Sequence, residues 1–399
     1  MSFSKDYSKI ILIFFLTIII FLLIYPQIFY KYFVLEMPFS DQAPQSYFAD
    51  WTVIISATKC KLLGYDVFLD NPCDFWNRLH GYGTIFLLLP YTDSLNNFYN
   101  FYLPIFFNLL FLYIVISHIN FKKIEQAVIY ILFIFSPATL LAIERFNIDI
   151  LIFLTLILIC YLRSNVFKLI FILIISLGKF YPAIISIAFF FKGFNKKNIL
   201  YFIVFAILIS LIFFLDRDNL AKVFSNFGQS KASYKLAFGI MHFANFPSLN
   251  TKFPFEHLVI FSVSLMSIIY FLSYLILKRD KFLSNFNFEI YSDKLFFIGG
   301  VVCAFTYLLF NNYIYREIFI FLALPFLFKM INQSNFSKFF ILVLAIKLAL
   351  SPFTFYYSFS LNSETLNIIK SLLDNLIISM MLASLVSILF IKLKEFKIN

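Results

Sequence analysis

The sequence predicts an all-α polytopic membrane protein, and two observations carry that expectation. Of 399 residues, 62% are hydrophobic and 13% charged, and the mean hydropathy of +0.89 is far above that of a soluble domain. The apolar residues also fall in successive runs separated by short polar connections, each run near the length a helix needs to enter or cross a bilayer. The 60 phenylalanines, with abundant Ile, Asn and Lys, read as the compositional bias of AT-rich coding rather than as a binding surface.

The first apolar run, residues 10 to 25, follows the polar start "MSFSKDYSK". It is long and has no small-residue cleavage site, so an uncleaved span is expected rather than a removed signal peptide. Further runs centre on 99–118, 126–143, 148–163, 166–178, 181–191, 199–215, 257–277, 294–310, 315–328, 338–353 and 368–391, which makes about twelve helices, several of them short. No soluble domain, repeat, low-complexity linker or Gly-rich phosphate loop interrupts them. Residues 1–399 are therefore expected to form a single integral membrane domain.

Lys and Arg near span ends favour the cytoplasm. With the amino terminus inside, Lys122, Lys123, Lys196, Lys197, Lys278, Arg279, Lys281, Lys392 and Lys394 all fall on inner segments, and that side holds the whole net charge of +11. Nucleic acid is then unnecessary as a partner. A multi-pass protein of the cell membrane with both termini cytoplasmic is expected, and the long connections, residues 31–98, 216–256 and 354–367, are extracytoplasmic. The stretch "SYFADWTVIISATKCKLLGYDVF" in the first of them reads as an amphipathic helix along the membrane surface.

Ionisable residues stand where this topology puts outer turns. "SPATLLAIERFNIDILIF" sets Glu144, Arg145, Asn147 and Asp149 between two apolar runs; "SLGKFYPAI" places Lys179, and "NNYIYREIF" places Arg316 and Glu317. Charges at helix ends are often solvated or snorkelling. Brought together, Arg145, Lys179 and Arg316 would instead make an anion site. Asp50 near the start of the first-loop helix is open to two readings, a dipole-favoured cap or a catalytic carboxylate. The histidines, His80, His118, His242 and His257, are too scattered for a metal motif. Cys60 and Cys73 share the first outer loop and can pair in an oxidising compartment, whereas Cys160 and Cys303 lie in apolar runs as small core residues.

Asp50 followed by Gly64 and "YDVF", "YGTIFLLLP", "IERFNIDI" and "GKFYP" occur in an order that resembles glycosyltransferase family 87 and related GT-C membrane enzymes. Phe146 stands where that pattern often has Gly. The resemblance implies a GT-C-like bundle and a mannosyltransferase-like hexosyltransferase. Its donor would be a polyprenyl-phosphate sugar and its acceptor a glycolipid or glycan, at the outer face beside membrane lipids, with inversion at the anomeric carbon. It also implies roles for residues already singled out: Asp50 as general base; Lys179, Arg316 and Arg145 on the donor phosphate; and Glu144, Asn147 and Asp149 in substrate binding. Apart from the resemblance, His242 in the second long loop is open to two readings, an ordinary loop residue or an imidazole that assists proton transfer or donor binding. With Lys and Arg supplying positive charge, neither a metal nor another cofactor is needed. The alternatives are a transporter or flippase of lipid-linked saccharides, which would show internal repeats and charges buried mid-span, and a polysaccharide polymerase. Lys347 and Asp374 are the deep charges apparent in the sequence.

Overall fold

The structure is a computed structural model that describes residues 14, 18, 48–119, 123–193, 195–227, 237–309, 312–356 and 362–398. The expected first span, residues 10–25, lies outside these residues except for Phe14 and Ile18, as do parts of all three long connections. The described chain is helical, with one antiparallel pair of two-residue strands, β1 (Ala237–Phe238) and β2 (Asn312–Tyr313).

In order, the α-helices are α1 (Ala49–Leu62), α2 (Leu103–Ser117), α3 (Ile124–Ile134), α4 (Pro137–Arg145), α5 (Asp149–Tyr161), α6 (Asn165–Gly178), α7 (Lys196–Leu215), α8 (Arg217–Phe227), α9 (Phe255–Leu277), α10 (Tyr291–Leu308), α11 (Leu324–Met330), α12 (Asn335–Tyr356) and α13 (Asn362–Ile398), with one further turn at Pro247–Asn250. Two long 3₁₀ segments, Tyr181–Lys192 and Ile314–Ala323, stand among them. Each apolar run after the first thus corresponds to helical structure, but not each to a span. Five helical stretches among the described residues are long and apolar enough to cross a membrane: Asp93–Ser117, Lys196–Leu215, Phe255–Leu277, Asn335–Pro352 and Glu364–Leu393. The run 126–143 is broken, because Ser136 caps α4 by accepting from the Thr139 N–H and Pro137 follows at its first position. The result is a 47° bend between α3 and α4, and the pair counts as a sixth span only if taken together.

Burial supports a membrane protein. On α7, Leu200, Ile207, Leu211 and Phe214 are exposed, and on α9 so are Ile260, Phe261, Ile268, Phe271 and Leu272. Water would tolerate such surfaces poorly, whereas lipid solvates them.

The chain divides into two compact units, residues 1–154 with 216–229, and 155–215 with 230–399. In the first unit, α1 packs against the short helical turns Thr84–Leu88 and Phe98–Tyr102 and against α4. Trp51, Val53, Ile54, Ile55, Ala57, Thr58 and Cys60 are all buried, so α1 is enclosed on most sides and lacks the free polar half expected of a helix lying on a bilayer. A disulfide joins Cys60 of this helix to Cys73, with Cα atoms 5.6 Å apart.

In the second unit, α13 packs against α9, α10 and α12, and α10 packs against the segment Ile314–Ala323. Gly299 makes that last approach possible: a Cβ there would lie 2.5 Å from Leu322 Cβ and 2.9 Å from the Phe319 carbonyl oxygen. Small residues let helices close up where lipid supplies no hydrophobic drive between them.

Candidate functional site

The turn from α4 into α5 determines much of the first unit's chemistry. Phe146 takes the left-handed conformation, φ 41° and ψ 59°. Its N–H donates to the Ile143 carbonyl (3.1 Å) and the Asn147 N–H to that of Ala142 (3.0 Å). These two bonds make a Schellman motif, which glycine usually closes. Here burial of Phe146 against Phe48, Trp51 and Phe107, ring centroids 6.3, 5.3 and 6.2 Å away, offsets the strain. The turn leaves Arg145 and Asn147 beside the first turn of α1. Asn147 Oδ1 accepts from the Asp149 N–H (3.0 Å), which orients its amide, and Nδ2 donates to Asp50 Oδ2 at 2.6 Å. Arg145 Nη1 donates to Asp50 Oδ1 at 3.3 Å.

A second cation completes this group, one that sequence reasoning missed. Arg78 Nη1 lies 3.9 Å from Asp50 Oδ1. Its guanidinium clasps Asp74 through Nη2 to Oδ1 (2.8 Å) and Nε to Oδ2 (3.0 Å), donates to the Ala49 carbonyl (2.7 Å) and stacks 4.5 Å over Trp76. Asp74 follows Cys73, so the disulfide ties this loop to α1. The Tyr82 phenol is pushed well above its usual range, first by burial and then by the carboxylates of Asp50 and Asp149. Tyr82 therefore stays a neutral hydroxyl in the field of this cluster.

Phe48, Asn77 and Phe146 are the non-glycine residues with positive φ among the described residues. Each is close in sequence to a cluster member: Asp50, Arg78, and Arg145 with Asn147. Strained backbone gathers where a site over-determines it. Among the described residues, the Asp50 carboxylate hydrogen-bonds to Arg145 and Asn147, side chains of another element. Asp149 is fully buried in the first turn of α5, and Glu144 sits half-buried on the last turn of α4 with Arg145 and Asp50 as charged neighbours.

The remaining predicted residues belong to the second unit. Lys179 ends α6, and its Nζ sits 5.4 Å from the Tyr181 ring and 5.7 Å from that of Tyr315. Arg316 Cζ lies 4.8 Å from the same Tyr181 ring. The structure thus places Lys179 and Arg316 near the same Tyr181 ring, a favourable placement for cations. His242 is placed otherwise. It is buried, stacked on Phe246 at 5.2 Å, with Nδ1 3.0 Å from Ser371 Oγ of α13.

Next to Arg316, through Glu317, lies a second group that the sequence revealed in part. Lys347 Nζ of α12 pairs with Glu317 Oε2 (2.8 Å) and Asp374 Oδ1 (2.5 Å), and Lys370 Nζ pairs with Glu317 Oε1 (3.3 Å). All four side chains are buried. Lys347 and Asp374 were legible as deep charges and Glu317 as a charge at an outer turn beside Arg316; Lys370 was not singled out, because it lies near the end of an apolar run. No known protein family, characterised protein or solved structure matches the chain.

Proposed function

We propose that the chain is a membrane glycosyltransferase of GT-C type that moves a sugar from a polyprenyl-phosphate donor to a glycolipid or glycan at the outer face of the membrane. The observation that carries this reading is the Asp50 cluster: a carboxylate gripped by Asn147 and Arg145, near Arg78, with left-handed residues beside each contributing segment. The left-handed backbone at Phe146 also agrees with the glycine often found there in the resembling pattern.

In this reading the acceptor O–H attacks the anomeric carbon while Asp50 takes its proton, and the bond to the phosphate oxygen breaks with inversion. The departing phosphate gains charge, and Lys179 and Arg316, both near the Tyr181 ring, are the cations assigned to stabilise it; Arg145 assists in orienting Asp50. The shorter apolar helices Asp149–Tyr161 and Asn165–Gly178 and the segment Tyr181–Lys192 would enter the bilayer without each spanning it, completing a bundle of about twelve transmembrane or re-entrant helices.

A second reading, a transporter of lipid-linked saccharides, is favoured by the buried ionic quartet of Glu317, Lys347, Lys370 and Asp374. Purified protein in lipid vesicles, incubated with a panel of polyprenyl-phosphate sugars and a membrane glycolipid extract, separates the two. Sugar on the acceptor supports the transferase, whereas movement of intact lipid-linked saccharide between leaflets without a new bond supports the transporter.

A further inference from the structure

We infer that the buried quartet Glu317, Lys347, Lys370 and Asp374 is a positioning device for the Lys179–Arg316 pair: it holds the 3₁₀ segment Ile314–Ala323 in the one register that turns Arg316 toward Tyr181. The inference rests on reading that pair as a phosphate site.

A 3₁₀ run of ten residues is long for a conformation usually confined to three or four, so packing must impose it. Two contacts do so. On one side Gly299 lets α10 close onto Phe319 and Leu322, which fixes how near the segment lies. On the other, the quartet fixes how it is turned. Residues 316 and 317 are adjacent, and in a 3₁₀ helix adjacent side chains point about 120° apart. Arg316 reaches Tyr181, while Glu317 offers one carboxylate oxygen to Lys347 of α12 and the other to Lys370 of α13. Lys370 and Asp374 are four residues apart on one face of α13, and Asp374 also binds Lys347, so two anions and two cations close a neutral group. A slip of one residue would withdraw Glu317 from both lysines and swing Arg316 off the Tyr181 ring. Apolar residues of similar volume often pack at least as stably as buried ion pairs. What the ionic group adds is a penalty on any other register.

The test measures binding of polyprenyl phosphate to the full chain in lipid nanodiscs, with thermal stability followed beside it, for wild type, Arg316→Ala, Glu317→Gln and their double variant. We expect each single change to weaken binding by about tenfold, the loss of one charge-assisted contact. The double variant is expected to bind no worse than either single one, because both act through Arg316. If Glu317→Gln does not accumulate, Lys370→Met, which leaves Glu317 paired with Lys347, gives the same comparison. A Glu317→Gln protein that melts lower yet binds as wild type overturns the inference and leaves the quartet purely structural, as do single effects that multiply in the double variant. Unchanged binding in Arg316→Ala overturns the phosphate reading itself and the inference with it.

Discussion

Asn147 is a hinge of the account at the scale of single residues, because it joins a backbone turn to a candidate catalytic group. Its amide accepts from Asp149 on one end and donates to Asp50 at 2.6 Å on the other. Asn147→Ala leaves a buried carboxylate short of a donor, which is expected to lower stability by about 1.5–3 kcal/mol and to reduce sugar transfer further than the melting shift explains. Thermal unfolding and transfer rate on the same preparation check this. A second residue-scale expectation concerns His80. Burial, and to a lesser degree Lys61, lowers its pKa from 6.5 to about 4. The unfolded chain therefore binds the extra proton first as pH falls. His80's contribution is fully present above about pH 6.5, declines as pH drops toward 4 and is flat below, amounting to about 3 kcal/mol at most. Melting of the wild type is expected to fall across that window and that of His80→Phe to fall less; parallel profiles would contradict the assignment. Asp50, Arg145 and Asn147 were legible from residue type and predicted sidedness. Arg78 was not, since only the fold of a disulfide-tied loop brings it to Asp50, and no periodicity encodes that.

Elements show where pattern and packing part company. Hydropathy located the apolar helices well because lipid and core both reward the same residues. It did not tell a span from a half-span, nor α-helix from 3₁₀: the bend at Ser136–Pro137 was present as a cap and a proline, but the 3₁₀ segments arise from tertiary contact. The α4–α5 turn is the most informative element. Changing Phe146 to Gly relieves left-handed strain of about 1–2 kcal/mol but removes a fully buried ring worth about 3–5 kcal/mol. The variant is expected to be less stable by about 2 kcal/mol despite placing the favoured residue in the turn. Chemical denaturation in mild detergent checks the sign; net stabilisation would show that the ring's packing with Phe48, Trp51 and Phe107 contributes little.

For the whole molecule, the pairing of connections can be set beside the alternating topology expected from the sequence. Within the first unit, Thr84 donates to Asp216 and Lys222 pairs with Asp66, and within the second the Ser248 N–H donates to Glu364. All six residues fall on segments expected outside. Lys329 with Asp293, Asn285 with Gln333 and Asn165 with Asn198 join segments expected inside. A single cysteine at Lys252, an exposed residue on a segment expected outside, is expected to react with a membrane-impermeant reagent in intact cells, and one at Lys281 only after permeabilisation. Labelling of position 281 from outside would invert the topology and remove Asp50 from the outer face.

The central claim is that Asp50 takes a proton during sugar transfer. Replacing it with Asn keeps its size and one acceptor oxygen for Asn147 or Arg145, but not its basicity. The most direct measurement is the transfer rate of folded Asp50→Asn at saturating polyprenyl-phosphate sugar, with donor binding determined on the same sample. A general base predicts turnover lower by about 10²- to 10⁴-fold with donor binding nearly kept. Transfer within about twofold of wild type would reduce Asp50 to an ion-pair hub between α1 and the α4–α5 turn and contradict the claim.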